Sequence, residues 1–424
     1  MYEEFLHFIY KNKLWKEEPL LCNGEKFEII DVGITNQDSG PDFFNAKIKF
    51  DNTVWAGNVE IHVNSSDWYK HKHQYDLTYN NVILHVVFNN DKQIFYNNNE
   101  PVPTWEIKFD HSLFNKYSEL KNNNTDVPCS NYLDILDKIK ISLYIQKLGI
   151  ERLIQKTEYI QSLLQKNHND WEQAFYVCLA RNFGFGTNSI AFEQLALNTP
   201  INVIRKEYDN LFKIEALLFG QANLFLPEVE DEYQTKLIQE YNFLREKHGL
   251  NPIQREFWKF SKLRPANFPH IKLAQLCSLL SKFQGLFSAI TNEKNFNKIR
   301  NFFEIHISDY WKTHYNFGKE TKTAYQHLSS ETFDNIAINT IAPFLYLYFA
   351  TFKTDDSQEL AIDWLNTIKP ENNRYIRVWQ SLGIESISAF ETQALIHLRK
   401  NYCDLKKCLD CNIGYEIMKA IHKI

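Results

Sequence analysis

Two carboxylates near the N-terminus have the residue types and the spacing of a metal site. Asp42 begins one strand-like run and Glu60 lies near the end of the next, with Asp51 and Asn52 between the runs. Asp-Asn is a good tight-turn pair, so residues 43–63 are predicted to form a β-hairpin that places the two carboxylates opposite each other. Converging carboxylates bind Mg²⁺ or Mn²⁺, and such an ion activates water and offsets charge on a phosphoryl group.

Further ligand-capable residues follow this pair. His62 lies two residues after Glu60, and residues two apart in a strand share a face, so His62 is a candidate general base or third metal ligand. The next such residues in the sequence are Asp67, His71, His73, Asp76 and His85. The last four suit Zn²⁺ as a set of their own. Otherwise they contact phosphate or orient a substrate beside the carboxylates.

A purely structural interpretation exists for the same residues. Asp42 then caps the turn before a strand, and Glu60 forms an exposed ion pair with Lys47 or Lys49, worth at most about 1 kcal/mol. A histidine in an apolar strand, such as His85, is more commonly a hydrogen-bonded core residue than a ligand. The density of histidine and aspartate after residue 66 favours the functional interpretation.

Three cysteines close to the C-terminus also have metal-ligand spacing. Cys403, Cys408 and Cys411 form the pattern C-x4-C-x2-C, and the last pair can chelate one tetrahedral ion. With His397 as fourth ligand, the motif predicts a structural Cys3His zinc site. An iron-sulfur cluster is the second interpretation. The alternative is three reduced thiols in a terminal helix, where cysteine acts as a small hydrophobic residue.

Composition sets limits on the class of protein. A chain of 424 residues is long for a single core, so two or three domains are expected. The net charge of −5 lacks the basic excess typical of nucleic-acid-binding proteins, so any contact with nucleic acid requires a local patch. The first residues are acidic where a secretory signal is basic, and no apolar run approaches roughly 18 residues. We therefore expect a cytoplasmic protein that has reduced thiols and no membrane contact.

The elements that must position the carboxylates can be read from periodicity. Residues 2–10 are predicted to be an amphipathic helix, and 67–79 a helix or an ordered loop. The predicted strands are 26–34, 43–50, 53–63, the central strand 81–88, and an edge extension over 93–96 and 102–107. Apolar residues then recur at helical spacing through the rest of the chain. The predicted segments are an α/β domain at 1–110, a linker at 111–134, a helical domain at 135–390, and a C-terminal helix with the cysteine motif at 391–424.

The sequence around the hairpin resembles the PD-(D/E)XK signature of the restriction-endonuclease-like superfamily. Pro41-Asp42 and Glu60-Ile61-His62 match the motif, on a matching order of helix, strands, hairpin, helix and strand. The resemblance implies an α+β fold, with Asp42, Glu60 and the carbonyl of Ile61 as metal ligands. His62 stands where the pattern has the lysine that orients the attacking water. Glu3 or Glu4, with Glu4 preferred, would be the carboxylate that many members supply from the first helix.

The whole chain also resembles a bacterial family of about this length, known as a domain of unknown function. The matching segments are GPDFFNAKI, WAGNVEIHV, NVILHVV, RPANFP and the terminal cysteine motif. Taken together, these features predict a metal-dependent phosphodiesterase or nuclease acting on nucleic acid through Asp42 and Glu60. The rival hypothesis is a non-catalytic scaffold that binds nucleic acid or protein on the same fold and holds a structural zinc at the C-terminus.

Overall fold

The structure, a computed structural model, describes residues 1–36, 38–208, 210–228, 230–322, 327–352 and 357–422. Contacts divide the chain into two compact units. The first combines Met1–Tyr144 with Leu398–Ile424, and the second is Ile145–His397. The predicted α+β class is confirmed, with a mixed sheet in the N-terminal part and a mostly helical remainder that brings the helix content to 55%.

One helix and six strands build the N-terminal sheet layer. They are α1 (Glu3–Lys11), β1 (Phe27–Asp31), β2 (Ile34–Thr35), β3 (Phe43–Phe50), β4 (Thr53–Asn64), β5 (Val82–Asn89) and β6 (Thr104–Glu106). Helix α1 is amphipathic, and its apolar face with Phe5, Leu6 and Ile9 is fully buried. Its first turn carries Glu3 and Glu4, where negative charge complements the helix dipole. The helix packs against β4 and thereby covers the hairpin.

The sheet combines antiparallel and parallel pairs in the order β1-β3-β4-β5-β6, with β2 also paired to β3. The pairs of β3 with β1, β2 and β4 are antiparallel, whereas β4-β5 and β5-β6 are parallel. Phe50 pairs with Thr53 and Phe43 with Val59, so the predicted hairpin and its turn at 51–52 are confirmed. The predicted central position of β5 is confirmed too. The edge extension is shorter than predicted and contains β6.

A bulge in β3 adjusts the end of the hairpin. The register shifts between Phe43 and Ala46, and Asn45 has φ 55° there, a left-handed conformation that asparagine adopts more easily than most residues. After this shift Phe43 is paired with Val59. Asp42, the residue before Phe43, therefore faces Glu60, the residue after Val59. Two carboxylates therefore meet at the edge where the hairpin ends.

Short helices connect β4 to β5 and follow β6. The connection contains α2 (Asp67–Lys70) and two 3-10 helices, His73–Tyr75 and Leu77–Asn81. After β6 come α3 (His111–Asn122) and a 3-10 helix, Ser130–Ile135. Helix α3 buries Leu113, Tyr117 and Leu120, which recur at helical spacing. The segment 111–134 is therefore folded structure of the first unit, and the prediction of a linker is wrong.

Helices dominate the chain after residue 137. They are α4 (Lys138–Lys166), α5 (Trp171–Phe183), α6 (Ser189–Asn198), α7 (Ile201–Lys206), α8 (Leu211–Gln221), α9 (Glu232–His248), α10 (Pro269–Leu280), α11 (Leu286–Thr291), α12 (Phe296–Phe302), α13 (Asp309–Thr313), α14 (Ser330–Ile336), α15 (Ala342–Phe352), α16 (Ser357–Thr367), α17 (Arg374–Ser381) and α18 (Ala389–Leu398). Strands β7 (His314–Asn316) and β8 (Lys319–Glu320) form a small ribbon. The second unit has one extensive core in which Phe183, Phe192 and Phe219 are fully buried.

The C-terminal segment belongs to the first unit. A π-helix, Arg399–Cys403, and α19 (Asn412–His422) make up this part. Helix α19 packs against α3, Tyr415 contacts the ring of Phe8, and Lys140 Nζ lies 2.6 Å from Glu416 Oε2. The chain thus departs from the four predicted segments, because the residues after 397 return to the unit that contains the sheet.

One helix contradicts the expectation that no apolar run has membrane-spanning length. In the part of the chain that the structure describes, Ser330–Phe352 forms 23 helical residues that are apolar enough to cross a membrane by length and composition. In the sequence, polar residues divide this segment into shorter apolar runs. The structure joins them, as α14, the π-helix Ala337–Ile341 and α15, into one helix. However, 61% of its apolar stretch is buried, as in a helix of a protein core, and such a core helix has the same length and composition. The helix is therefore weak evidence for a membrane span.

Candidate functional site

The end of the hairpin holds Asp42 and Glu60 in reciprocal contact with the backbone. The Asp42 N–H donates to Glu60 Oε2 at 3.3 Å, and the Ile61 N–H donates to Asp42 Oδ2 at 2.8 Å. Each carboxylate therefore fixes the strand that carries the other. One oxygen of each remains for further contacts, as expected for residues that position a ligand.

Histidine 62 lies at the centre of the polar cluster and is 1% exposed. Its Nε2 atom is 3.4 Å from Glu60 Oε1 and 3.0 Å from His71 Nδ1. Its Nδ1 atom is 2.8 Å from Nε2 of His85, which lies on the neighbouring parallel strand β5. The prediction that His62 shares a face with Glu60 is confirmed.

His71 and His73 reach the cluster from the connection between β4 and β5. Lys72, between them, has φ 63°, and this left-handed residue turns the chain so that both neighbouring imidazoles face His62. His73 Nε2 is 3.1 Å from Glu60 Oε1, and its ring stacks on Tyr79 with centroids 3.8 Å apart. His73 is buried and His71 is exposed, so the cluster opens to solvent beside His71.

This arrangement has the dimensions of a metal site. One nitrogen from each of His62, His71 and His73 lies within 4.8 Å of the other two. Zinc bonds of about 2.0 to 2.1 Å place the ligands of a tetrahedral ion about 3.3 to 3.4 Å apart, close to the 3.0 Å separation between His62 Nε2 and His71 Nδ1. Imidazole donors suit zinc and neighbouring transition metals, whereas Mg²⁺ takes oxygen ligands.

Unsatisfied nitrogen atoms are concentrated at the cluster. Among the described residues, His7 Nε2, His73 Nε2 and His85 Nδ1 are buried without an aligned hydrogen-bond partner, although the first two approach a carboxylate oxygen. Other buried atoms without a partner lie elsewhere in the described residues, for example His270 Nδ1 and Trp311 Nε1, so these three nitrogens do not by themselves define a ligand site.

Burial and neighbouring charges shift the pKa values at the site. Burial, and then the charge of Asp42, raise the pKa of Glu60 to about 9. Burial, and then the other imidazoles, lower the pKa of His62 to about 2, and burial lowers that of His85 to about 3. His62 and His85 are therefore neutral at physiological pH. A bound cation would favour the ionised form of Glu60.

Helix α1 contributes His7, which the motif did not indicate, and Glu3, the other carboxylate that the resemblance offered. His7 Nε2 lies 3.4 Å from Asp42 Oδ2, and this contact raises the His7 pKa although burial opposes the rise. Burial and the charge of Asp42 raise the pKa of Glu3. Glu4, the preferred residue, instead accepts a hydrogen bond from Tyr117 Oη at 2.6 Å and pairs with Lys121. The choice of Glu4 is corrected to Glu3, which the i,i+4 spacing to His7 could have revealed.

The other predicted accessory residues have local roles. Asp76 accepts hydrogen bonds from the Thr78 backbone at 2.9 Å and hydroxyl at 2.7 Å, so it caps a 3-10 helix. Asp67 accepts the Asn64 N–H at 3.0 Å and pairs with Lys70. The prediction grouped four residues as a zinc set: His71, His73, Asp76 and His85. In the structure, the nitrogens that lie close together are those of His62, His71 and His73, and His85 contacts His62 from behind. The predicted ion pair of Glu60 with a hairpin lysine is replaced by contacts to histidine.

The three cysteines of the C-terminal motif belong to the first unit. Cys403, Cys408 and Cys411 are buried and line a common cavity. His397, which ends the second unit, has its Nε2 atom 3.4 Å from Glu151 Oε2. The cavity has another cysteine in its wall, Cys129, which the spacing of the motif could not indicate.

Comparisons with known proteins give one assignment. No curated protein and no solved structure shows significant similarity to the chain. A family described as "Protein of unknown function (DUF2851)" matches residues 3–374, which include the hairpin, the histidine cluster and most of the helical unit. Since the match spans well over half of the sequence, the chain belongs to the DUF2851 family.

Proposed function

We propose that this protein is a metal-dependent phosphodiesterase, nuclease-like in its chemistry, whose metal is held by His62, His71 and His73 beside Glu60 and Asp42. One observation carries the proposal: three imidazole nitrogens converge within 4.8 Å, and a buried carboxylate contacts two of them. Three protein ligands leave a fourth position for water, which is the arrangement of catalytic zinc sites.

The residues around the metal have distinct chemical roles. A metal ion bound here would lower the pKa of its water ligand and polarise a phosphoryl oxygen. Glu60 Oε1, 3.1 and 3.4 Å from two of the imidazoles, is positioned to take the proton of that water. Asp42 and His7 form a second acid-base pair at the rim. His85 holds His62 in the tautomer whose Nε2 lone pair faces the site.

The resemblance to the PD-(D/E)XK superfamily supports nucleic acid as the substrate class. Asp42 and Glu60 occupy the carboxylate positions of that motif, on a β-hairpin followed by a short helix and a parallel strand. His62 replaces the lysine, and a neutral imidazole cannot supply the lysine's positive charge. In this proposal the histidine is a ligand, and the metal supplies the charge that the lysine supplies elsewhere.

The test measures metal binding and hydrolysis by the full chain. Metal-free protein should bind Zn²⁺ or Mn²⁺ in calorimetry, and the loaded protein should cut single- or double-stranded DNA or RNA. Glu60→Gln should lower kcat by about 10² to 10⁴, the usual contribution of a general base. His71→Ala should abolish metal binding, and because His71 is exposed, the variant should fold. Asp76→Asn, in the same connection but outside the group of three histidines, is the matched control.

The scaffold hypothesis has one observation in its favour. Asp42 and Glu60 each accept a backbone N–H of the opposite strand, so both also serve to hold the hairpin. A scaffold would bind no metal at the cluster, and His71→Ala would leave it unchanged. Absence of metal binding at the cluster, together with no hydrolysis of any nucleic acid, would favour this hypothesis over the enzyme.

A further inference from the structure

A buried lysine in the second unit has no acidic partner. Lys272 lies near the start of α10 and is 7% exposed. Its Nζ atom is 3.4 Å from Gln275 Oε1 and 4.5 Å from the centroid of the Phe185 ring. No carboxylate of the described residues is paired with it. Because lysine is almost never fully buried unless it is paired, Lys272 calls for an explanation other than an ion pair.

The amine of Lys272 borders a small cavity whose walls are mostly apolar. The space measures about 70 Å³, and one water needs about 10 to 15 Å³ of it, so a molecule of a few non-hydrogen atoms fits. Thr187 and Asn267 line the cavity and are exposed, so it opens to solvent beside them. Among the described residues of the lining, Lys272 alone carries a titratable group. The apolar part of the wall consists of Phe183, Phe185, Phe192, Leu263 and Pro269.

Two connecting segments of the chain form the outer wall of the cavity. One is the turn at 184–188 after α5, and the other precedes α10 and contains the 3-10 helix Pro265–Asn267. Asn188 joins them, since its Oδ1 accepts the Lys259 N–H at 2.8 Å and its Nδ2 donates to the Lys259 carbonyl at 2.9 Å. Phe185 has φ 42°, a left-handed conformation that is rare for a bulky residue. Such strained positions are concentrated at ligand sites, and this one holds an aromatic ring against the amine.

Burial determines the chemistry of this amine. It lowers the pKa of Lys272 from 10.5 to about 8. Helices α5 and α8 and strand β7 pack against α10, but no charged group on them contributes to the shift. At pH 7.4 about a fifth of such amines are neutral, compared with about 0.1% for a lysine of ordinary pKa. A neutral amine in an apolar pocket is the form of lysine that attacks carbonyl compounds.

We infer that Lys272 is a reactive amine that forms a Schiff base with a small aldehyde or ketone bound in this cavity. The neutral nitrogen attacks the carbonyl carbon, and a carbon–nitrogen double bond replaces the carbon–oxygen bond. The carbonyl oxygen leaves as water with the two protons of the amine, so no oxidant or reductant is required. An anion is a poorer occupant, because the apolar wall offers it few hydrogen-bond donors. The site belongs to the second unit and does not depend on the proposed phosphodiesterase activity.

The test compares two lysines of the full chain during reaction with acetaldehyde and sodium cyanoborohydride, which reduces a Schiff base to a stable amine. Lys262, which is exposed in the segment before α10, is the internal reference. Peptide mass spectrometry should find Lys272 labelled at least about tenfold faster than Lys262 at pH 7.4, because about a fifth of its amine is neutral. The ratio of the two rates cancels the pH dependence of the reductant and should fall above pH 8. Benzaldehyde, which is too large for the cavity, should not show the preference for Lys272.

Three results would overturn the inference. Equal or slower labelling of Lys272 than of Lys262 at pH 7.4 would make Lys272 a structural residue. A ratio that does not change with pH would show that burial does not activate the amine. An equal preference with benzaldehyde would show that the reagent enters by opening of the fold rather than through the cavity.

Variants assign the label and separate this site from the histidine cluster. Lys272→Met should remove the fast label, and Lys262→Met, the matched control, should keep it; retention of the fast label in Lys272→Met would refute the assignment. If Lys272→Met fails to fold, peptide mapping of the unmodified chain decides by itself. His71→Ala should leave the labelling rate of Lys272 unchanged, so failure of the proposed metal site and failure of this site give different results.

Discussion

His85 offers a sharp test of how the histidine cluster is built. It is fully buried, and its Nε2 atom lies 2.8 Å from His62 Nδ1. When His62 donates this hydrogen bond, its Nε2 lone pair is free for a metal. Removal of such an outer-shell partner usually costs 10- to 100-fold in metal affinity, about 1.4 to 2.7 kcal/mol. His85→Phe, whose ring fits beside Trp68, should lose that amount, whereas His85→Gln keeps an acceptor and should lose much less.

Calorimetric titration of each metal-free variant with Zn²⁺ measures the effect directly. His111→Phe is the matched control, because His111 is an exposed histidine at the start of α3. Circular dichroism of the metal-free samples separates a change of affinity from a loss of folding. Equal zinc affinities for His85→Phe and the unmodified protein would refute the assigned role of His85. An equal loss of zinc affinity in His85→Gln and His85→Phe would refute it too, since only phenylalanine removes the hydrogen-bond acceptor.

Three further predictions concern stability. Burial raises the pKa of Glu215 from 4.5 to about 7. Between these pH values the folded protein keeps a proton on Glu215 that the unfolded chain releases. The stabilisation of the folded state by this proton is therefore present at low pH and is lost as the pH rises through 7. Glutamine does not titrate, so the unfolding free energy of Glu215→Gln, measured in urea, should rise by about 3 kcal/mol relative to that of the unmodified protein between pH 4.5 and 7.5. A difference in unfolding free energy that does not change with pH would contradict this. Gly57→Ala would place a Cβ atom 2.8 Å from the Asn81 carbonyl oxygen and should destabilise the protein by about 1 to 3 kcal/mol in the same assay. Trp68→Ala should cost about 3 to 5 kcal/mol because the ring is fully buried, whereas Trp55→Ala, at a residue 54% exposed, should change the unfolding free energy by less than about 0.5 kcal/mol.

The hairpin was predictable because every local signal agreed. Alternating apolar residues mark 43–50 as a strand, and β3 spans those residues. The polar pair at 51–52 specifies the turn, and the turn sets the register that joins Asp42 to Glu60. Strand alternation then places His62 on the same face as Glu60. These inferences depend on residues close in sequence, where backbone geometry leaves few choices.

The helices show how a signal can be present and still be missed. Leu113, Tyr117 and Leu120 recur at helical spacing, but the asparagine-rich end of the same segment favoured a linker. On α1, the rotation of the helix about its axis decides which of Glu3 and Glu4 faces Asp42. The buried residues Phe5 and Ile9 show which side of the helix faces the core, but not which of the two neighbouring glutamates faces the site. The charge of Asp42, which raises the pKa of Glu3, decides it, and that influence arises from the tertiary fold.

Contacts between distant segments were beyond the reach of the sequence. Cys129 lies in a loop without a metal-binding motif, and only folding brings it to the cysteines of the C-terminal turn. The convergence of His71 and His73 on His62 depends on one left-handed residue, Lys72, which has no special propensity for that conformation. A pattern supplies the types of ligands, but long-range packing selects which of them meet.

Helix α1 links the two candidate centres physically. His7 contacts Asp42 at the histidine cluster, and the adjacent residue Phe8 packs its ring against Tyr415 on α19. Helix α19 begins directly after Cys411, so ligation of the cysteines would fix the helix against which Phe8 packs. A rigid α1 in turn keeps His7 at its 3.4 Å distance from Asp42. Metal binding by the C-terminal cysteines, which their spacing predicts, would therefore act on the N-terminal site through one shared helix, although the family match ends before these cysteines.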